Sequence, residues 1–246
     1  MPFKQEDDKG SRPQNDLLQS LSTKDFELLR PFYTVGPSGQ ALYHPGDPVE
    51  NVYFPCGAAF VSFAVAVDED REVEVVLVGR EGAVGGVVSR GFLPAYSRIA
   101  LKIGGSLIRL SASKLDEAQR QSHALRQLFA RYADCFISQI FQSTACNAAH
   151  SIEQRAAKWI VDLVEHTGTE HVLITHEEFA AVLGVGRSYA SRVLQGFKAE
   201  GMLDTGRGTV TVRNIALLNR KSCQCNRWVK KHFSEVFGVI EKGRSE

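Results

Sequence analysis

The 246-residue sequence contains no run of about 18 consecutive apolar residues, so it predicts no membrane-spanning helix. Its first sixteen residues are polar and carry charges of both signs, unlike a secretory signal. Cysteine is scarce: there are five, and this odd number in an ordinary composition favours reduced thiols over a disulfide framework. These absences lead us to expect a cytoplasmic protein with no membrane partner.

The chain also has little excess charge, with a formal value of +1 at pH 7. Any affinity for a polyanion must therefore come from local groups of lysine and arginine. Neither a Walker nor a Rossmann glycine loop is present, and no nucleophile, base and orienting group form a recognisable set. The glycines from Gly82 to Gly86 fit neither loop pattern and predict a β-turn. We therefore do not expect an enzyme, and no cofactor is identified.

The most informative stretch, residues 174–208, predicts a helix, a tight turn, a second helix and a small hairpin. Thr175 and Glu178 have the spacing of a capping box, and residues 184–186 supply two glycines for the turn. Residues 206–208 lie between two short β-rich runs, which suits a two-stranded wing. The side chains expected to face inward from the second helix are Tyr189, Val193, Leu194 and Phe197.

Basic and hydroxyl side chains are concentrated in and around the second helix. Two helices joined by such a turn form a helix-turn-helix, whose second helix can enter the DNA major groove. An arginine at the start of that helix can bond guanine bidentately. The alternative is an ordinary helical hairpin with a solvated basic face. The residues predicted to bind double-stranded DNA are Thr175, Arg187, Ser188, Ser191, Arg192, Lys198 and Arg207.

The N-terminal half has a different character. Residues 1–16 predict a mobile tail, and residues 17–32 a short helical segment. Short β-rich runs separated by glycine and proline then predict an all-β sandwich or barrel. Such a barrel can enclose a small molecule or hold none. The predicted strands are residues 41–43, 51–54, 58–67, 72–78, 99–103 and 107–110.

Residues 114–150 predict a mostly helical segment with two neighbouring apolar stripes. Such a helix must be buried on two sides. One side is expected to pack on the β-rich part and the other on the same helix of a second subunit, giving a homodimer. The alternative is a helix buried within a monomer. The first stripe is Leu125, Phe129, Tyr132 and Phe136, and the second is Ala133, Ile137, Ile140 and Thr144.

A fresh helix begins at Ser151, where Gln154 completes a capping box. The boundary between the two domains is therefore expected near His150. The predicted order is a tail (1–16), a sensor β-roll (17–120), a dimerisation helix (121–150), a winged helix-turn-helix (151–218) and a basic C-terminal helix (219–246). The fold class is α+β.

Four residues near the helix ends have side chains that bind soft metals. Cys146 and His150 are four apart and share one helix face, while Cys223 and Cys225 follow the wing. Thiolates and an imidazole make a metal or redox site if the fold brings them together. The alternative is that these cysteines are small buried apolar residues.

Nearly the whole chain resembles the Crp/Fnr superfamily of bacterial transcription regulators. Two stretches carry the resemblance: ITHEEFAAVLGVGRSYASRVLQGFKAEGML and LYHPGDPVENVYFPCGAAFVSF. The resemblance implies an antiparallel β-roll of the cyclic-nucleotide-binding type, a dimerisation helix and a winged helix-turn-helix. It also implies RNA polymerase as a partner. Arg187, Ser188 and Arg192 fall where the family's base-reading residues fall.

The sequence departs from the family's cyclic-nucleotide binders, which carry Gly-Glu-Leu and then an arginine about ten residues later. Gly86 stands where the glutamate is expected, and the arginine position falls near Ala95. The predicted effector pocket is therefore Gly85, Gly86, Val87 and Arg98, with an unknown effector. No cysteine precedes Cys56, so the N-terminal iron–sulfur cluster of the oxygen-sensing branch is not expected. The alternative function is a small-molecule-binding signalling module whose helix-turn-helix serves protein contacts.

Overall fold

The computed structural model describes residues 12–29, 32–69, 71–87 and 93–242. The chain divides into two compact units. The first comprises Met1–Val65, Val76–Ile137 and Val236–Glu246, and the second comprises Ala66–Val75 and Ser138–Glu235. Within the described ranges, no helix combines the length and the apolarity that crossing a membrane requires.

Two short helices open the first unit: α1 (Asp16–Gln19) and α2 (Thr23–Leu29). Eight strands follow, and the six predicted strands all occur within two residues of their predicted limits. The strands are β1 (Phe32–Gly36), β2 (Ala41–Tyr43), β3 (Asn51–Pro55), β4 (Phe60–Asp68), β5 (Arg71–Val78), β6 (Val84–Gly85), β7 (Arg98–Ile103) and β8 (Gly105–Ser111).

The eight strands form two four-stranded sheets, in the orders β1-β8-β3-β6 and β2-β7-β4-β5. The described strand pairs are antiparallel. Tyr53 and Leu107 from the first sheet share one buried cluster with Val61 and Leu101 from the second. This common core makes the two sheets a β-roll, as the sequence predicted.

Two sequence expectations for this unit hold only in part. The predicted mobile tail includes Asn15, which is fully buried, and its Nδ2 donates to the carbonyls of Pro55 and Gly82, both at 2.9 Å. Arg12 also donates to the Leu21 carbonyl at 2.6 Å. Residues 12–16 are therefore fixed, while residues 1–11 lie outside the described part of the chain.

The glycine-rich segment predicted as a β-turn contains strand β6, whose Gly85 pairs with Val52 of β3. Gly85 has φ +101°, and a Cβ there would overlap the Asn51 carbonyl oxygen. Only glycine fits this close approach of two backbones. The sequence showed the glycines but not the strand that they lie against.

The predicted long helical segment is two helices, α3 (Ala112–Gln121) and α4 (His123–Ala149), with Ser122 between them. The first apolar stripe of α4 is internal: Leu125, Phe129 and Tyr132 are buried, and the Phe136 ring lies 5.5 Å from that of Phe63. The second stripe is open. Its exposed part, with the neighbouring Phe141, is called here the α4 stripe: Ile137, Ile140, Phe141 and Thr144.

The remaining elements lie in the second unit, except for the end of α9 from Val236 onward, which belongs to the first. They are α5 (Ile152–Thr167), β9 (His171–Leu173), α6 (His176–Leu183), α7 (Arg187–Ala199), β10 (Leu203–Gly206), β11 (Thr209–Val212), α8 (Ile215–Lys221) and α9 (Cys225–Lys242). The predicted capping box at Ser151 and Gln154 is present, and Gly168 ends α5 with φ +66°. The Trp159 ring of α5 meets Phe179 of α6 edge-on at 5.6 Å. This contact joins α5 to the helices that carry the candidate site.

Candidate nucleic-acid interface

The helix-turn-helix is built from α6, a glycine turn and α7. Thr175 caps α6 through the predicted capping box with Glu178. Gly184 ends α6 with φ +68°, and Gly186 is the N-cap of α7. These short-range signals place Arg187 at the first position of the second helix, as the sequence predicted.

One face of α7 is buried and the other is open. The buried side chains are Ala190, Val193, Leu194 and Phe197. Tyr189 was expected among them, but it is exposed, so that expectation is wrong. Its hydroxyl donates to Glu153 Oε1 of α5 at 3.3 Å. The next residue, Ala190, is buried instead.

The open face of α7 carries the basic side chains predicted to bind DNA. Arg187, Ser188, Arg192 and Lys198 are exposed. The Arg187 Nε lies 2.8 Å from Glu177 Oε1, and these side chains are 68% and 60% exposed. Because water screens such a pair, it contributes at most about 1 kcal/mol of stability. Arg187 can therefore exchange Glu177 for a base or a phosphate at little cost.

Neighbouring side chains orient two of the predicted readers. The Arg192 guanidinium lies over the Tyr189 ring, 5.2 Å from its centroid, which is a cation–π contact. The Ser191 hydroxyl lies 2.7 Å from His176 Nδ1 of α6. Sequence reasoning missed Tyr189 and His176 as supports. The spacing of three between Tyr189 and Arg192 is a signal for the first contact, because such residues are neighbours on a helix.

The wing is a three-stranded sheet in the order β10-β11-β9, one strand more than the sequence predicted. Arg207 and Gly208 form the turn between β10 and β11, and Arg207 is exposed there. Gly208 accepts a hydrogen bond from the Ile174 amide at 3.0 Å, which fixes the turn beside the start of α6. Arg207 is thus the tip residue of the wing.

The predicted effector pocket lies in the first unit. Gly85 belongs to β6, Gly86 and Val87 are buried after it, and Arg98 begins β7. Ala95, near the expected arginine position, belongs to the apolar core of the roll. The intervening residues 88–92 lie outside the described ranges. The pocket assignment stays a prediction.

Calorimetry with cAMP and cGMP is expected to show no binding tighter than about 100 µM, because neither Gly86 nor Ala95 supplies a charged group at the position where the family's cyclic-nucleotide binders have one. Gly86 offers no carboxylate for a ribose hydroxyl, and Ala95 offers no cation for the phosphate. Low-micromolar affinity that disappears in Arg98→Ala would contradict this expectation. It would show that Arg98 replaces the family's arginine from a shifted position.

The four side chains predicted to form a metal or redox site lie together in the second unit. Cys146 and His150 come from the end of α4, and Cys223 and Cys225 come from the start of α9 and the residues before it. Their four potential ligand atoms all lie within 4.8 Å of one another. The sequence predicted the first pair on one face but did not establish its distance from the second pair.

Comparisons with known proteins show what this architecture is similar to. Residues 154–221 match the family model of the Crp-like helix-turn-helix domain. The transcriptional regulatory protein btr of Bordetella pertussis is 24% identical over 200 residues, covering 75% of this chain and 80% of that protein.

Solved structures of Crp-family regulators share the fold. A CRP-family transcriptional regulator from Thermus thermophilus has a TM-score of 0.65 at 17% identity and covers 76% of this chain and 95% of its own. The c-di-GMP-responsive global regulator CLP of Xanthomonas campestris has a TM-score of 0.61 at 19% identity and covers 78% of this chain and 99% of its own. The α+β architecture is therefore that of Crp/Fnr proteins. Residues 154–221 form a Crp-like helix-turn-helix domain, and the chain is a DNA-binding transcription regulator.

Proposed function

We propose that this regulator works as a homodimer, and not as an enzyme, in which two copies of α7 read neighbouring major grooves of double-stranded DNA. The observation that supports base reading most strongly is that α7 has one buried apolar face and one exposed basic face. Its apolar face is buried against the unit, while Arg187, Ser188 and Arg192 are exposed on its first two turns. Side chains at the start of such a helix are the ones that reach base edges.

The α4 stripe supports pairing with a second copy. Ile137, Ile140 and Phe141 are 46%, 39% and 68% exposed in the single chain. Monomeric proteins rarely leave large apolar side chains grouped on one face. Because the stripe runs along a helix of 27 residues, the same helix of a second subunit is the matching surface.

Pairing through α4 gives the sensor a means of control. A dimer reads two half-sites only when its recognition helices lie about 34 Å apart, which is one turn of DNA. A signal that changes how the α4 helices pair would shift the population between binding and non-binding states. The effector is unknown. From the resemblance to the Crp/Fnr superfamily we infer RNA polymerase as a further partner. Because the ligand is genomic DNA, we place the protein in the cytoplasm.

Salt dependence of DNA binding tests this function against its rival. Fluorescence anisotropy with a labelled duplex is expected to show affinity that falls steeply as salt rises, with a slope of about −0.9 for each phosphate contacted. Lys198→Ala, which removes an exposed cation, should reduce that slope by about one. Absence of binding, or binding that ignores salt, would instead favour a helix-turn-helix that serves protein contacts.

A further inference from the structure

The group of Cys146, His150, Cys223 and Cys225, called here the thiol cluster, is unusual among the cysteine environments of this chain. The three thiols are 1%, 7% and 4% exposed, and they form a buried cluster of their own. The Cys146 and Cys223 sulfurs are 3.6 Å apart, and Cys225 Sγ is 3.6 Å from His150 Nδ1. Chain segments more than 70 positions apart thus converge at one point.

We propose that the thiol cluster is a tetrahedral Cys₃His site for one divalent zinc ion. Zinc binds sulfur at about 2.3 Å and nitrogen at about 2.0 Å, so the corners of its tetrahedron lie about 3.5–3.8 Å apart. Two of the observed separations already have this length. The others are all within 4.8 Å, so none has to shorten by more than about 1 Å when the ion binds.

Two polar side chains next to the thiol cluster match the needs of bound thiolates. Gln142 Nε2 donates to Cys225 Sγ at 3.3 Å, and Lys158 Nζ donates to Cys146 Sγ at 3.5 Å. Three thiolates around a divalent ion leave one net negative charge, which the Lys158 ammonium offsets. Groups of this kind orient ligands and tune metal affinity. Simple packing of buried thiols does not explain why the Gln142 and Lys158 side chains both donate to a sulfur atom.

Other chemistry explains fewer of these contacts. A Cys146–Cys223 disulfide would use two sulfurs and leave Cys225, His150 and Gln142 without a role. An iron–sulfur cluster contains several metal atoms and would hold its ligands further apart than this group. The remaining two cysteines lie outside the thiol cluster: burial raises the pKa of the Cys56 thiol to about 12, and burial and Asp134 raise that of Cys135 to about 11. These two stay protonated thiols.

The ion would fasten the end of α4 to the start of α9. Lys230 of α9 already bonds Asp162 at 2.9 Å and Glu165 at 2.7 Å, both on α5. Zinc would attach the start of α9 to α4 as well. Because structural zinc contributes to folding free energy, its removal should loosen the C-terminal segment.

The test uses the full, untagged chain purified without chelator. Elemental analysis should find one zinc per chain, and treatment with chelator should remove it and lower Tm. Adding Co²⁺ to the metal-free protein should produce the absorption of tetrahedral cobalt with thiolate-to-metal charge transfer. Cys223→Ser and His150→Ala should each lower metal affinity by more than tenfold, and Gln142→Ala by about tenfold.

Cys135→Ser is the matched control, because it makes the same substitution in a buried cysteine of α4 outside the thiol cluster. It should keep full zinc content and the cobalt spectrum. Metal-free protein that gives no thiolate–cobalt spectrum would overturn the proposal. A Cys146–Cys223 disulfide found by mass spectrometry in protein prepared under air-free, reducing conditions would overturn it equally. Because the cobalt spectrum needs no DNA, these outcomes are independent of the proposed function.

Discussion

Ile140→Asp is expected to convert the protein to a monomer and abolish operator binding at the same time. Ile140 lies in the exposed α4 stripe, so a carboxylate there leaves the single chain intact. In a dimer it would be buried, at a cost of several kcal/mol. Sedimentation gives the oligomeric state, and anisotropy with operator DNA gives the affinity.

Gln127→Asp is the matched control for this variant. It adds the same carboxylate to an exposed position of α4 outside the α4 stripe and should leave the dimer intact. Phe136→Asp is unsuitable for this test, because Phe136 packs against Phe63 of the roll. An Ile140→Asp monomer that kept full operator affinity would refute the dimer model.

Arg187→Ala and Arg192→Ala are expected to weaken operator binding by about 1–3 kcal/mol each and to relax base preference. Both side chains are exposed on the first two turns of α7. Competition between operator and unrelated DNA measures this loss. Lys198→Ala, near the other end of α7, should weaken binding about equally for all sequences.

Tyr189→Phe separates the aromatic contact from the hydroxyl contact. It keeps the ring beneath Arg192 and removes only the bond to Glu153, so operator affinity should stay near that of the native protein. Tyr189→Ala should lower it toward the value for Arg192→Ala. If both arginine variants kept their base preference, α7 would not be the reading helix.

Short-range signals in the sequence predicted the helix-turn-helix well. The capping boxes at Thr175 and Ser151 depend on residues three positions apart, and glycine at 184 supplies the backbone conformation that ends α6. The orientation of Tyr189 could not be predicted in the same way. The Tyr189 hydroxyl bonds Glu153, which belongs to another helix.

Contacts between distant segments explain the remaining differences. Strand β6 has two residues and exists because β3 passes beside it, so the glycine-rich sequence alone indicates a turn. Helical spacing places Cys146 and His150 together, but only the tertiary fold brings Cys223 within 3.6 Å of Cys146. The buried Asn15 was missed because its partners, Pro55 and Gly82, are far along the chain.

Selection of bound sequences from random duplex DNA by the purified protein, followed by footprinting, tests the central claim most directly. A homodimer with one α7 per subunit should enrich an inverted repeat whose half-site centres lie about 10 base pairs apart or a multiple of that. Arg187→Ala should then weaken the base preference at the same position of both half-sites. No enriched motif, or a single asymmetric site protected by one chain, would contradict a dimeric reader of DNA sequence.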